Sequence, residues 1–525
     1  MIGESLTMDN KLTRSRFLKV ASAGTAWIAL TNALGCKPAE RTKRAMPSTG
    51  TSPVQLERMV VQDLPPAAPW QGAWTFRTRP DLSPRAVDVA KQSLETAPGY
   101  VFVAPKKSGP GQGGPMIVDK RREVVWFSPV DSEDPRAMDF KVQTYRGESV
   151  LTWGAAEHLI LDSSYNEIAR FHAGHGLRGA PGKPDDHHEF LISPEDTALI
   201  TIYNPVRGDL SPIGGPKDGV LWEGIVQELD IESGEVLFEW HSLDHVDLEE
   251  TYISPSADFH VRSGIDYFHI NSIDVDHHGN LLVSARRTSC VYKIDRESGE
   301  VIWRLGGKKS DFEMGPGTRF AYQHDARRQS DGTITIFDNG TTSIHHGIPK
   351  GKEESRGIVL DLDEEKMSAT LVREYTHPDK LFADAGGNMQ VLPNGNVFIG
   401  WGRALAFSEF SKNGELLFSA SFPIDGSYRA FRFPWSGHPS DQPAAVAERA
   451  SEEEVRVYAS WNGATQVATW EVLAGPSPNQ LESLGSVPRD GFETAMLVRT
   501  AEPHVVVRAK HRSGRVLGTS APVML

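Results

Sequence analysis

The stretch NSIDVDHHGNLLVSAR (271–286), followed by VYKIDRESGEVIWRL (291–305), contains two successive strand–turn–strand units. Apolar and polar residues alternate on both sides of a glycine-containing turn in each unit. Alternation with a period of two is typical of half-buried β-strands, and glycine supplies the left-handed backbone conformation that tight hairpin turns need. The stretch therefore predicts one antiparallel sheet of four strands.

The same pair of hairpins recurs along the sequence. Copies of the first hairpin are FKVQTYRGESVLTWG (140–154), HEFLISPEDTALITIY (188–203), HDARRQSDGTITIFDNG (324–340) and NMQVLPNGNVFIGWG (388–402). Copies of the second are MIVDKRREVVWF (116–127), LILDSSYNEIARF (159–171), VQELDIESGEVLFEW (226–240), IVLDLDEEKMSATLVREY (358–375) and FSEFSKNGELLFSASF (407–422). These repeats show five sheets, and GYVFVAP (99–105) with the strand-like Tyr428 to Phe433 completes a sixth. The pattern predicts an all-β, six-bladed β-propeller over residues 71–440, in preference to an array of β-sandwiches.

The C-terminal part of the sequence has a different character. VRVYASWNGATQVATWEVL (455–473) and HVVVRAKHRSGRVLGTSAPVML (504–525) alternate like the strands of a sandwich. We expect a small fibronectin type III-like β-sandwich over residues 441–525.

The N-terminus has the features of an export signal. Lys11, Arg14, Arg16 and Lys19 precede an apolar stretch that ends at Cys36 and is short for a membrane span. Ala33-Leu34-Gly35-Cys36 resembles a bacterial lipobox, in which Cys36 is lipidated. We therefore expect a signal over residues 1–36, a flexible tether over 37–70, and a periplasmic or cell-surface location with a lipid anchor at Cys36. An ordinary cleaved signal or a disordered leader remains the alternative, and the choice between general secretory and twin-arginine export stays open.

Composition excludes some functions. With 55 basic and 69 acidic residues the formal net charge is −14, which argues against nucleic acid as a partner. Two cysteines suggest neither a disulfide framework nor a cysteine-rich metal site, and no metal site or cofactor is predicted. The oligomeric state, including a homo-oligomer, stays open.

The ends of the innermost strands carry the candidate site. In a propeller these ends meet at one rim of the central channel, so residues at equivalent repeat positions converge although they are far apart in sequence. The residues at these positions are His188, His269, Asn271, Arg286, His324, Asp325, Asn388 and Arg403, with His187 beside His188. Three imidazoles and a guanidinium suit transfer of a sulfuryl or phosphoryl group, because positioned donors and cations stabilise its spread negative charge, and a neutral histidine can act as the nucleophile.

These residues also carry a family resemblance. Phe268-His269-Ile270-Asn271, Ser284-Ala285-Arg286 and Gln323-His324-Asp325 resemble the arylsulfotransferases, and the resemblance covers roughly residues 95 to 435. The tail motifs SWNGAT (460–465) and GFET (491–494) resemble the branch of the family with an additional C-terminal domain.

The resemblance implies a ping-pong reaction between a phenolic sulfate ester and a phenolic acceptor, with no nucleotide donor. His324 is then the sulfated nucleophile, and His188, His269, Asn271 and Arg286 hold the sulfate and bridging oxygens. Two alternatives stay open: a non-catalytic propeller lipoprotein that binds a small ligand or a protein partner, and a propeller oxidoreductase with a quinone cofactor, which would need calcium ligands and stacking tryptophans in the channel.

Overall fold

The computed structural model describes most of the protein that follows the predicted tether. The described residues are 62–64, 69, 71–106, 109–130, 137–154, 157–177, 188–254, 264–341 and 354–525. The predicted signal, the lipidation site at Cys36, most of the tether and His187 lie outside them. In the described residues we find no helix that is both long and apolar enough to cross a bilayer.

Three four-stranded antiparallel sheets come first, and the strands of each run in order from the innermost to the outermost. Sheet 1 consists of Ser427–Phe433, Tyr100–Pro105, Met116–Val118 and Val124–Phe127. Sheet 2 consists of Met138–Tyr145, Glu148–Gly154, His158–Leu161 and Glu167–Phe171. Sheet 3 consists of Phe190–Ile192, Thr197–Gly208, Gly219–Asp230 and Val236–His241.

Three further sheets repeat this order. Sheet 4 consists of Ile270–Val275, Leu281–Ala285, Cys290–Ile294 and Val301–Gly306. Sheet 5 consists of His324–Arg328, Ile334–Asp338, Arg356–Asp363 and Ser368–Thr376. Sheet 6 consists of Asn388–Val391, Val397–Gly400, Ala406–Phe410 and Leu416–Ser421.

Short elements extend some of these sheets. Ile265–Asp266 pairs in parallel with the third strand of sheet 3, and Glu313–Met314 pairs in parallel with the outer strand of sheet 5. Asp88–Gln92 adds an antiparallel fifth strand to the outer edge of sheet 6. The helical turns are Ser211–Ile213, Ser242–His245, Leu248–Glu250 and Gly402–Ala404.

Sheets 1 to 6 follow one another in a closed cyclic order. The innermost strand of each sheet contacts the first or second strand of the preceding sheet, and the innermost strand of sheet 1 contacts sheet 6. Sheet 1 joins the two ends of this region, because Ser427–Phe433 pairs with Tyr100–Pro105 across more than 300 residues of sequence. The prediction of an all-β fold is confirmed, and the innermost strands surround a common axis.

The C-terminal region forms two more antiparallel sheets. Sheet 7 contains Gln62–Asp63, Glu493–Arg499, Glu454–Ser460 and Ala444–Arg449. Sheet 8 contains Gln480–Pro488, Thr469–Ser477, His504–Lys510, Val516–Thr519 and Val523–Met524. They share one apolar core, in which Val457 and Met496 of sheet 7 pack with Trp470, Val472 and Val507 of sheet 8.

The SWNGAT motif attaches this region to sheet 1. Asn462 Oδ1 accepts a hydrogen bond from Phe127 N at 3.0 Å, and Asn462 Nδ2 donates to Phe127 O at 2.9 Å. Gly463 N donates to Val125 O at 2.8 Å, and the Tyr165 hydroxyl donates to Gly463 O at the same distance. The motif thus takes the place of a further strand on the outer edge of sheet 1.

We expect Asn462→Ala to lower the free energy of unfolding by about 2 kcal/mol, because it removes two hydrogen bonds and leaves both backbone groups of Phe127 unpaired. Chemical denaturation measures the change. Asn413→Ala is the control, since Asn413 lies in an exposed turn and bonds to Ser411 Oγ through its backbone N–H. Equal stability of the two variants would contradict the docking role of Asn462.

Candidate active site

A cavity of about 500 Å³ opens at one end of the axis that the innermost strands surround. Its lining includes residues at or close to the first position of five innermost strands, in sheets 1 to 5. These residues are Tyr428, Met138, His188, His269 and His324. The cavity wall is completed by Lys106, Ala385, Gly386, Gly402, Arg403, Leu405, Asp425, Gly426 and Ser427. Equivalent positions of the repeat therefore meet at one place.

The rings in this cavity lie close to one another. The ring centre of His188 is 5.3 Å from that of His269 and 5.3 Å from that of Tyr428. The Tyr428 ring is in turn 6.0 Å from the ring of His324. Three predicted histidines from three different sheets thus share one small cavity, and two of them, His188 and His324, lie against Tyr428.

The protonation pattern of His324 is set by Asn339. The amide of Asn339 donates to Ala383 O at 2.8 Å and to Gly386 O at 2.9 Å, so its Oδ1 faces His324 Nδ1 at 2.7 Å. Because that oxygen can only accept, Nδ1 carries the hydrogen and Nε2 keeps its lone pair. Burial, reinforced by the charge of Arg286, holds the pKa of His324 well below its usual range. The ring is therefore a neutral imidazole with Nε2 as the basic atom.

A carboxylate instead of an amide holds the second histidine of the cavity. His269 Nδ1 makes a short hydrogen bond to Asp266 Oδ2. Burial lowers the pKa of His269 to about 4, although Asp266 opposes the shift. The backbone of His269 has a positive φ of 55°, a conformation uncommon outside glycine. Such strain often marks functional sites.

Arg286 lies next to the cavity but outside its lining. Its Nη2 donates to Asp384 O at 2.7 Å, directly before the wall residue Ala385, and its guanidinium lies over the Tyr322 ring at 4.7 Å. Its Nε has no hydrogen-bond partner among the residues that the structure describes. Burial, together with the charge of Arg287, lowers the pKa of Arg286 to about 10, so the group remains a cation at neutral pH.

Of the other predicted residues that the structure describes, only Arg403 lines the cavity, where it is exposed and its Nε lies 3.4 Å from Asp384 Oδ1. Asn271 Nδ2 donates to Gln323 O, and the amide of Asn388 bonds both backbone groups of Ala430, so each amide links two sheets. Asp325 is also outside the lining, in a network of buried charges. These three polar residues therefore surround the site without facing it.

This buried ion network lies across the axis behind the cavity. It consists of Asp139, Lys141, Glu189, Asp325, Arg327 and Arg429. Arg429 Nη1 lies 2.7 Å from Asp139 Oδ1 and 3.0 Å from Glu189 Oε2, and its Nη2 donates to Asn271 O at 2.8 Å. Lys141 Nζ bridges the same two carboxylates from the other side, at 2.7 and 2.6 Å. The network connects sheets 1, 2, 3 and 5, and through the carbonyl of Asn271 also sheet 4.

Sequence reasoning did not single out two residues of this site, Tyr428 and Asp266. It placed Asn339 at the end of the hairpin that His324 opens, but did not predict the bond between them. Tyr428 stands near the start of the innermost strand of sheet 1, so the same repeat argument that identified the histidines applies to it. Asp266 stands three residues before His269, and this spacing was a usable signal. No local pattern indicates that Asn339 Oδ1 faces His324 Nδ1.

The depressed pKa of His269 predicts a pH dependence of stability. Between pH 6.5 and about 4 the unfolded protein takes up a proton at this histidine, whereas the folded protein does not. We therefore expect the free energy of unfolding to fall as the pH falls through this window. Denaturation of the wild type and of His269→Gln near both ends of this window tests the prediction, and an equally steep fall in both would contradict it.

Comparison with known proteins identifies a family. The family model described as Arylsulfotransferase (ASST) matches residues 141–423, which is more than half of the sequence. That range contains His188, His269, Arg286 and His324. The protein has no significant match among curated proteins.

Similar solved structures include a protein of unknown function from Bacteroides caccae, at 14% identity and a TM-score of 0.37, covering 64% of this protein and 98% of that one. Another is a catalytically inactive variant of virginiamycin B lyase from Staphylococcus aureus with quinupristin, at 8% identity and a TM-score of 0.33, covering 78% and 99%. Likenesses at this level carry no information about function. The match of the family model does, and the protein belongs to the arylsulfotransferase family.

Proposed function

We propose that this protein transfers a sulfuryl group from a phenolic sulfate ester to a phenolic acceptor through a sulfated His324, without a nucleotide sulfate donor or another cofactor. The observation that carries the proposal is the state of His324 in the cavity. Asn339 keeps the hydrogen on Nδ1, so Nε2 has the lone pair that a nucleophile needs.

In the donor step, Nε2 of His324 attacks sulfur, an N–S bond forms, and the S–O bond to the aryl oxygen breaks, so that phenolate leaves with the electron pair. The backbone N–H of Gly386 donates to Nε2 at 3.3 Å, so this hydrogen bond is given up when Nε2 attacks sulfur. His188 and His269 supply further hydrogen-bonding groups from the cavity lining, and Arg286 adds positive charge from just outside it. Preorganised donors of this kind stabilise the developing charge.

In the acceptor step, a phenol oxygen attacks the sulfur of sulfated His324, the N–S bond breaks, and the phenol loses its proton. The imidazole then returns to its starting state. Met138, Leu405 and Tyr428 give the cavity an apolar side on which an aromatic ring can rest, while Lys106 and Arg403 give it cationic groups. A phenolic sulfate, which is both aromatic and anionic, suits this combination.

We interpret sheets 1 to 6 as the blades of a closed six-bladed propeller, and sheets 7 and 8 as a fibronectin type III-like sandwich. The closed cyclic order of the first six sheets and the shared core of the last two support these assignments.

We further propose that the protein is exported and anchored by a lipid on Cys36, because Ala33-Leu34-Gly35-Cys36 resembles a lipobox. Metabolic labelling with a fatty acid in a bacterial host tests this proposal. Label in the wild type and none in Cys36→Ala is the expected result, and equal labelling would exclude the anchor.

Incubation with 4-nitrophenyl sulfate and phenol tests the enzymatic proposal directly. We expect nitrophenol release, formation of phenyl sulfate, and a sulfated peptide that contains His324 when the donor is given alone. A folded protein that releases no nitrophenol from this ester, and no phenol from other aryl sulfates, would favour the non-catalytic lipoprotein.

A further inference from the structure

We propose that Asp266 is a positioning residue that makes His269 the proton acceptor of the acceptor step, so that the two imidazoles of the cavity have different tasks. The proposal rests on the proposed sulfate transfer and extends it to the proton that the acceptor phenol must lose. It follows from a difference between the groups that hold the two rings.

The Nδ1 partners of the two histidines differ in charge. His324 faces the neutral amide oxygen of Asn339, and an amide gives little stabilisation to a ring that takes up a second proton. His269 faces the carboxylate of Asp266, which stabilises an imidazolium directly. A neutral partner therefore suits a nucleophile, and an anionic partner suits a base.

A dedicated element holds Asp266 in place. The two-residue strand Ile265–Asp266 pairs in parallel with Leu221 and Trp222 of sheet 3, in a structure whose other strand pairs are mostly antiparallel. Arg286 N donates to His269 O at 2.9 Å, and this bond fixes the other side of the histidine. Asp266 Oδ1 is buried without a hydrogen-bond partner among the described residues. Among the described residues, the hydrogen-bond partner of this carboxylate is therefore the imidazole of His269.

The charged and titratable groups around His269 decide how it responds to a substrate. They are Asp266, His188, Arg286, Arg287, Tyr203 and His324. Burial tends to raise the pKa of Asp266, but His269 and the two arginines outweigh it and hold that pKa below its usual range. Asp266 therefore stays ionised, and His269 starts each acceptor step as a neutral ring whose Nε2 can accept a proton.

The proton balance closes over one cycle. When the acceptor phenol attacks sulfur, Nε2 of His269 takes the phenolic proton, and Asp266 stabilises the resulting imidazolium. In the following donor step this proton goes to the departing phenolate. His269 is then neutral again, and no other acid or base is consumed.

The test compares two acceptors that differ in their need for a base. At about pH 9, 4-cyanophenol is largely ionised and phenol is not. The enzyme is first sulfated with 4-nitrophenyl sulfate, and the excess donor is then removed. The sulfated enzyme is mixed with each acceptor, and the rate at which sulfated His324 disappears is measured. We expect Asp266→Asn to slow transfer to phenol about 100-fold, and transfer to 4-cyanophenol less than about tenfold.

Asp379→Asn is the matched control, because Asp379 lies 3.6 Å from the ring of His377 and is not part of the cavity lining. It should behave as the wild type with both acceptors. Asp266→Glu, which keeps the carboxylate, should recover part of the rate with phenol.

Equal slowing with both acceptors, or no slowing with either, would overturn the role of Asp266. If the wild type itself never forms sulfated His324, the proposed function fails and this inference fails with it. Sulfated His324 in Asp266→Asn, with no difference between the acceptors, would overturn this inference alone.

Discussion

Replacing His324 with alanine is expected to lower aryl sulfate turnover by about 10⁴-fold or more, because removal of a covalent nucleophile leaves only the contribution of binding and charge stabilisation. No sulfated peptide should form when the variant is incubated with donor. Stopped assays with 4-nitrophenyl sulfate and peptide mass analysis measure both effects.

Two further variants keep this result interpretable. His324→Gln retains an amide that can bond to Asn339, so it guards against a loss caused by disturbed folding. His277→Ala changes an exposed histidine whose ring contacts Gln329 O and which is absent from the cavity lining, and it should keep wild-type activity. A sulfated peptide from His324→Gln, or turnover within about tenfold of the wild type, would place the nucleophile elsewhere.

Replacing Arg429 with methionine is expected to lower the free energy of unfolding by about 3–5 kcal/mol, since removal of one partner leaves buried charges uncompensated. Asp139 and Glu189 are fully buried and both pair with Arg429 Nη1. Methionine fills part of the volume, so the loss reports mainly on charge. Urea denaturation, with the slope checked for constancy, measures the change.

Arg146→Met is the control for this prediction. Arg146 pairs with Glu232 on the surface, where an ion pair contributes about 1 kcal/mol or less. A stability loss in Arg429→Met no larger than in Arg146→Met would mean that the buried ion network does not hold the innermost strands together.

The repeat pattern was enough to predict that the histidines meet. His188, His269 and His324 stand at corresponding positions in three hairpin copies. Because the sheets repeat the same strand geometry, corresponding positions lie at the same end of the innermost strands. The cavity in which they meet follows from that regularity. Tyr428 obeys the same rule and was missed because its strand stands apart from its own sheet in the sequence.

Neighbouring polar residues were harder to assign. His324 and Asp325 are adjacent, and alternation sends adjacent side chains in different directions. Only His324 therefore lines the cavity, while Asp325 pairs with Arg327 inside the buried ion network. Polar residues at alternating positions resemble a solvated face, so Asp139, Lys141 and Glu189 gave no sign in the sequence that they are buried.

Local sequence thus accounts for the all-β fold and for the position of each histidine at the start of its innermost strand, because strand alternation and turn chemistry are properties of short segments. The tertiary structure alone decides which ring is held by an amide and which by a carboxylate. Asn339 reaches His324 across a hairpin, and Asp266 reaches His269 from a two-residue strand on a neighbouring sheet. Such pairings depend on how distant segments pack, and the chemistry proposed for the cavity depends on them.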